Sequence, residues 1–349
     1  MNKKFLVLPL AGVCLFASVL ASSNVINSAK AEEVLMDVDS IQALSHKDGA
    51  MVHFMNDNMR KMWETDLDDI QAIKDLFEYN TDLKNYANII GDRQTVRMYY
   101  EMYDDFKPVN NVLTWKSKLN AKDFDIIVSL NDELTEVVYE QKGLTTMEYE
   151  MENPMINQHY YWQVTANTKN GEKVKSRVFD FVNEDYSRTI DVSGVSNSRD
   201  IGGLTTSFGT IKQGLVYRTA RLDDIDSKGI KTLNKLQIQT DLDIRNLNEG
   251  AQNPAHLPNY YLRTLQNYFF ALQPAYRSTT IDALREFVNP DNYPIMYHCT
   301  VGKDRTGTLT FLLLGLMGAS EDYLMRDYSN TFFAVTGASH KDLDDLNFG

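Results

Sequence analysis

YPIMYHCTVGKDRTGTLTFLLLGLMG, residues Tyr293 to Gly318, reads as three pieces in a row. Tyr293 to His298 is an apolar run of strand length, and Thr306 to Gly318 is an apolar run of helix length. Between them lies a loop containing Gly302. A strand that is apolar on every side belongs to a parallel sheet covered on both faces. In such sheets ligands bind beyond the carboxyl ends of the strands, which is where His298 to Gly307 falls. A loop entering a helix N-terminus supplies converging backbone N–H groups and the positive end of the helix dipole. Those donors would favour the thiolate of Cys299, the reactive form of cysteine, and would also hold an incoming dianion. Arg305 adds a planar guanidinium suited to bidentate contact with an oxyanion. Gly302 lets the backbone turn close to the ligand, and Thr306 could donate to the sulfur. The stretch is therefore an anion cradle with a nucleophile at its centre.

The residues around it predict an α/β domain over 187–349. LVYRT and QTDLDI are strand candidates, while SKGIKTLNKLQI, with Ser227 as N-cap, and STTIDALREFVN are amphipathic helices. Upstream, over 93–184, the hydrophobic period is two. TVRMYYEMY, NNVLTWKS, DFDIIVSLND, EVVYEQ, TTMEYEM, YYWQVTANTKNG and EKVKSRVFDFV are short runs rich in β-branched and aromatic residues. About seven such strands predict a β-sandwich. Trp115 and the Tyr161-Trp162 pair resemble the core aromatics of fibronectin type III-like modules. Over 32–92 the apolar residues recur at three- and four-residue spacings, which predicts packed helices without chemistry of their own.

The first residues, MNKKFLVLPLAGVCLFASVLASSNVINSAKA, pair a basic start at Lys3 and Lys4 with an uncharged run from Phe5 to Ala21 and a small-residue site at Ala29-Lys30-Ala31. That is the layout of a secretory signal peptide over 1–31. The rival, an uncleaved anchor, has a short run interrupted by Pro9, and a lipoprotein site at Cys14 fits poorly after Ala11-Gly12-Val13. Cleavage would leave Cys299 as the lone cysteine of a secreted or cell-surface protein, with no intramolecular disulfide available. The net charge is −13, or −16 without Lys3, Lys4 and Lys30. Such a surface excludes a nucleic-acid footprint and any general attraction to anionic lipid. An anionic substrate must then be captured locally, against the field of the whole molecule. No cofactor or metal is expected, since the histidines are scattered without ligand-like spacing.

Cys299, five intervening residues and Arg305 resemble the signature loop of cysteine-dependent phosphatases. The fuller HCTVGKDRTG is similar to the bacterial tyrosine phosphatase branch that also contains secreted phosphoinositide-hydrolysing enzymes. NSRDIGG at Asn197 to Gly203 resembles that branch's first motif, with Ser198 in place of an aromatic residue. YRTARL, around Arg218, and DIRNLNE, with Asp243, Arg245 and Glu249, extend the match in the same order. The first half of the chain is not covered.

The resemblance implies that Cys299 attacks phosphorus and forms a phosphocysteine, while Arg305 and the amides of Thr300, Val301, Gly302, Lys303 and Gly307 bind the phosphoryl oxygens. His298 would orient the loop and favour the thiolate; otherwise it is a satisfied histidine at a strand end. Asp304 is the first candidate for general acid, followed by Asp243 and then Asp200, with Arg199 and Arg245 in support. Lys303 adds a point charge for a second phosphate, as in phosphatases that accept inositol lipids, or is a solvated loop residue. The expected substrates are phosphotyrosine proteins and phosphoinositides, and the sandwich would dock a partner that the sequence does not name. Two other classes compete: a sulfurtransferase or arsenate reductase, and a surface-binding protein with an inactive phosphatase domain. Intact Cys299 and Arg305 argue against the latter.

Overall fold

Along His159–Thr168 the buried side chains alternate: Tyr160, Trp162, Val164 and Ala166 are buried, and Tyr161 and Thr165 less so. That period is what a half-buried strand requires. It organises the N-terminal half of the fold in this computed structural model, which describes residues 34–36, 40–66, 107–250 and 252–331. The larger sheet there contains β1 (Val34–Met36), β3 (Ala50–Val52), β5 (Ala121–Ser129), β6 (Val137–Leu144), β8 (His159–Thr168), β9 (Lys173–Lys175) and β10 (Phe179–Asn183). Strand β8 is its hub, antiparallel to β5, β9 and β10. The smaller sheet has the order β2 (Ile41–Ala43), β4 (Val112–Ser117), β7 (Glu148–Glu150). One core joins the two sheets: Ile41, Leu113 and Trp115 pack with Ile126, Val128, Trp162, Phe179 and Phe181.

The helical expectation for 32–92 is corrected in part. The described residues there contain three strands and one helix, α1 (Asp57–Glu64). Ile41–Ala43 pairs with Trp115–Ser117, so a partner far along the chain overrides the local spacing. Residues 67–106, which include the predicted strand TVRMYYEMY, and the predicted signal peptide lie outside the described residues.

The second sheet runs β11 (Arg188–Thr189), β12 (Arg199–Asp200), β15 (Val216–Thr219), β18 (Ile295–His298), β16 (Thr240–Asp243), β17 (Asn259–Leu262). A separate hairpin joins β13 (Thr205–Thr206) to β14 (Gly209–Thr210). Strands β15 to β18 pair in parallel, as expected, but β11 and β12 form an antiparallel edge. Helices α2 (Ser227–Lys235), α3 (Arg277–Arg285), α4 (Asp304–Leu316) and α5 (Glu321–Asn330) complete this half. Asp226, not Ser227, caps α2: its carboxylate accepts the Lys228 and Gly229 amides at 2.8 Å each. Successive residues of β18 enter opposite cores. Met296 packs with Tyr217 and Leu233, whereas Ile295 and Tyr297 pack with Ala283 and Leu309. Helix α4 is not buried all round, because Phe311 and Leu316 are exposed.

Polar and aromatic contacts tie the halves together. Buried Arg188 donates to Asp200 at 2.8 Å and to the carbonyls of Asn153 and Pro154 at 2.7 and 3.1 Å. Trp63 of α1 stacks on Tyr186 at 5.4 Å and donates to Asn330 of α5 at 2.8 Å. Arg326 of α5 donates to the Met62 and Thr65 carbonyls, both at 2.8 Å. Trp63→Ala is expected to lower the unfolding free energy by about 3 kcal/mol, the usual cost of deleting a buried large aromatic. Urea denaturation would measure it, and an unchanged midpoint would show that α1 does not brace α5.

Candidate active site

Strand β18 ends at His298, helix α4 begins at Asp304, and the intervening loop starts with Cys299, the free cysteine of the described residues. Four loop carbonyls are held from behind. His298 Nδ1 meets the Cys299 carbonyl at 3.0 Å, and the Arg221 amide donates to the Thr300 carbonyl at 3.1 Å. Asn197 Nδ2 donates to the Val301 and Gly302 carbonyls at 3.2 and 2.9 Å, and Arg218 adds a bond to Gly302 at 2.7 Å. In a planar trans peptide the carbonyl and the next amide point in opposite directions. Anchoring the carbonyls of 299 to 302 therefore turns the amides of Thr300, Val301, Gly302 and Lys303 to the other side. Gly302 has φ 68°, and a Cβ there would lie 2.6 Å from the Thr219 carbonyl oxygen. Only glycine fits both constraints.

The mouth is a cavity of about 290 Å³ lined by residues that include Cys299, Thr300, Val301, Asp304, Arg305 and Glu249. Arg305 makes a two-pronged contact with Glu249, Nη1 to Oε2 and Nη2 to Oε1, both 2.7 Å. That bidentate pair fixes the plane of the guanidinium, and Arg305 holds Glu249 down to about 2, far below an ordinary glutamate. Thr300 donates to the same carboxylate at 3.1 Å. Asp304 accepts from the Tyr268 hydroxyl, which itself lies 3.0 Å from the Tyr328 hydroxyl. Asp304 is thus the predicted acid that the structure brings to the mouth.

The other predicted residues sit behind it. Asp243 is fully buried and accepts from Arg245 through both oxygens, as well as from Tyr260 at 3.1 Å. Burial opposes its charge, but His298 and Arg245 outweigh it and hold the carboxyl below the usual range, which suits a structural anion rather than an acid. Arg245 continues to Asp223 at 2.8 and 3.0 Å. Asp200 is buried too, engaged by Arg188 and by the Gly202 and Gly214 amides. Arg199 binds Asn197 and Asp327, and Asp327 also takes Arg218 at 2.6 Å. Burial alone would raise the Asp327 carboxyl, yet the two arginines hold it below the ordinary value. None of these groups lines the cavity.

Three expectations for the loop change. The hydrogen bond of Thr306 is to the Cys299 amide, which donates to Oγ1 at 2.8 Å. Gly307 packs under the Tyr328 ring, 2.9 Å from where a Cβ would stand, so its role is close packing. Lys303 does not line the cavity; it is the N-cap position of α4. Asp241 and Asp327 carry no local signal in the sequence, and DIRNLNE contains Glu249 without pointing to its role.

His298 is fully buried, with Nε2 2.9 Å from Asp241 Oδ1 and Nδ1 4.0 Å from Asp243 Oδ1. The closer approach is an ion pair that lacks hydrogen-bond alignment. Burial disfavours the imidazolium, but the two carboxylates prevail and push its pKa up to about 9.

Residues 190–346 match the model of the tyrosine phosphatase family, including residues beyond the described end. A Cupriavidus necator protein named as a tyrosine-protein phosphatase is 27% identical over 163 residues, 38% of this chain and 59% of the relative, so the match spans about three fifths of that protein. Among solved structures, the core catalytic domain of the S. cerevisiae PP-IP phosphatase SIW14 in complex with citrate is 19% identical. It covers 42% of this chain and 84% of that one, with a TM-score of 0.28. P. aeruginosa TpbA in complex with pTyr is 17% identical, covering 47% of this chain and 96% of that one, with a TM-score of 0.28.

Gly302→Ala is expected to displace the loop and abolish binding of orthovanadate while leaving the β-sandwich folded. Titration calorimetry beside circular dichroism would check this; undiminished vanadate binding would refute the stated need for glycine.

Proposed function

We propose that the tyrosine phosphatase family domain at 190–346 hydrolyses phosphoric monoesters through a phosphocysteine, with phosphotyrosine proteins and phosphoinositides as substrates. The observation that carries this reading is the placement of Cys299 and Arg305 around one cavity, with the loop amides turned away from four anchored carbonyls. A tetrahedral phosphoryl group needs a nucleophile on one side and donors for its three non-bridging oxygens. Cys299 supplies the first; Arg305 and the amides supply the second.

In the first step the Cys299 thiolate forms an S–P bond as the P–O bond to the leaving group breaks. Protonated Asp304 delivers its proton to the departing oxygen, and Tyr268 fixes the orientation of that carboxyl. In the second step Asp304, now ionised, takes a proton from water as the water oxygen attacks phosphorus; the S–P bond breaks and inorganic phosphate leaves. Glu249 keeps Arg305 in plane through both steps, because a bidentate partner removes rotational freedom that the transition state would otherwise have to restrict.

The rest of the reading is exported placement. The N-terminal run supports secretion by a signal peptide, which suits a fold that relies on its cores rather than on disulfides. The β2-β4-β7 sheet against the larger sheet supports a fibronectin type III-like module, which would dock a partner while the catalytic half does chemistry. Lys303, at the start of α4, would add charge for a second phosphate rather than line the cavity for the first.

Two experiments test this. Cys299→Ser should reduce turnover of a phosphotyrosine peptide by at least about 10³-fold, the scale expected when a covalent nucleophile is lost; turnover at the wild-type rate would end the proposal. Lys303→Ala should cut hydrolysis of short-chain phosphoinositides about tenfold while sparing the peptide, and equal losses on both would remove the lipid substrate.

A further inference from the structure

His298 and Asp241 lie side by side in the sheet without contact with the cavity. Strands β16 and β18 are parallel, with Asp241 opposite Met296 and Asp243 opposite His298. Because side chains alternate along a strand, Asp241, Asp243, Met296 and His298 share one face. Both Asp241 and His298 are fully buried. The proton bookkeeping of the ring follows from its two neighbours. Nδ1 is 3.0 Å from the Cys299 carbonyl oxygen, which can only accept, so Nδ1 carries a proton. Nε2 is 2.9 Å from an Asp241 carboxylate oxygen but not aligned with it for a hydrogen bond, so what Asp241 offers the ring is a charge at close range that favours a second proton on Nε2.

Resting on the phosphatase reading above, we propose that Asp241 is a positioning residue of this site. It keeps His298 as a cation whose Nδ1–H grips the Cys299 carbonyl, and so keeps the Thr300 amide aimed at the phosphoryl group. A neutral ring has one N–H to share between Nδ1 and Nε2 and could turn its donor to Asp241 instead. The loop carbonyl would then lose its anchor, and the peptide between Cys299 and Thr300 would be free to flip. The groups that face the ring from the neighbouring elements are few. From β16 they are Asp241 and Asp243, the latter occupied by Arg245 and by Tyr260 of β17. From β15 the register neighbour is Thr219, which is uncharged, and the loop contributes Cys299. Burial raises the Asp241 carboxyl against the pull of His298, but Asp241 and Asp243 together still favour the imidazolium and push the ring up to about 9.

The consequence is an alkaline limit set by His298. With an aryl phosphate whose phenolate leaves without a proton, so that ionisation of Asp304 does not set the limb, wild-type kcat/KM should hold to about pH 9, whereas in Asp241→Asn the alkaline limb should move below pH 7 and kcat/KM at pH 8 should fall at least tenfold, one decade per pH unit. A merely structural role would lower the whole profile by one factor and leave the limb in place; that outcome overturns the proposal. The ring can be read independently of turnover by ¹⁵N-histidine spectra of the wild-type protein. A doubly protonated His298 at pH 7.5 is required, and a neutral ring there also overturns it. If no phosphoester is hydrolysed, the spectra still decide the Asp241–His298 relation, so failure of the activity and failure of the pairing are separable.

Discussion

The peptide between Gly302 and Lys303 is held by two donors at once, Asn197 and Arg218, and the chemistry of the loop depends on that grip. A backbone that can offer its amides to an anion can equally offer its carbonyls, which would repel one. Left to itself a short glycine-containing loop would sample both. Here each carbonyl from 299 to 302 has a donor behind it, so the amides have one direction left. Preorganisation of this kind saves the reorganisation that water would have to undergo at the moment of reaction.

The donors are themselves fixed by charge pairing. Arg218 and Arg199 converge on Asp327, and Arg245 is sandwiched between Asp243 and Asp223. Buried cations of this number would be costly unless each had a carboxylate and hydrogen bonds to match. The pairing also explains how a chain with a net charge of −13 can build an anion site. The local positive potential comes chiefly from the oriented amides, with Arg305 shared between the cavity and Glu249, while the deeper arginines are neutralised and serve as struts.

Asp327 belongs to α5, and α5 is braced from outside the half that carries Cys299 and Arg305. Trp63 and the carbonyls of Met62 and Thr65 reach it from the segment around α1. The route from the N-terminal segment to the loop is thus short: α1 to α5, Asp327 to Arg218, Arg218 to Gly302. Arg188 and Asp200 make a second brace between the β12 edge and the Asn153–Pro154 turn. The β-rich half and the half that carries Cys299 and Arg305 are accordingly joined by buried, directional contacts.

Much of this was readable from residues near one another in the chain. The strand, loop and helix of 293–318 announce themselves through apolar runs and Gly302, and Cys299 and Arg305 stand out by their spacing around a helix start. The two-residue period of 93–184 predicts a β domain, since alternation reports local burial. What the chain order could not give was partnership across distance. Ile41–Ala43 looks helical until Trp115–Ser117 lies beside it, and nothing near Asp327 says that it faces Arg199 and Arg218. Sequence ranks Asp304 ahead of Asp243 and Asp200 as candidate acid; burial and occupancy separate them, leaving Asp304 at the cavity while Asp243 and Asp200 are consumed by arginines. Sequence by itself determined which chemistry the loop can carry, because that depends on residue types a few positions apart. Tertiary structure decided which charges neutralise one another and which remain free to act, because electrostatic pairing is a matter of ångströms in space and not of positions along the chain.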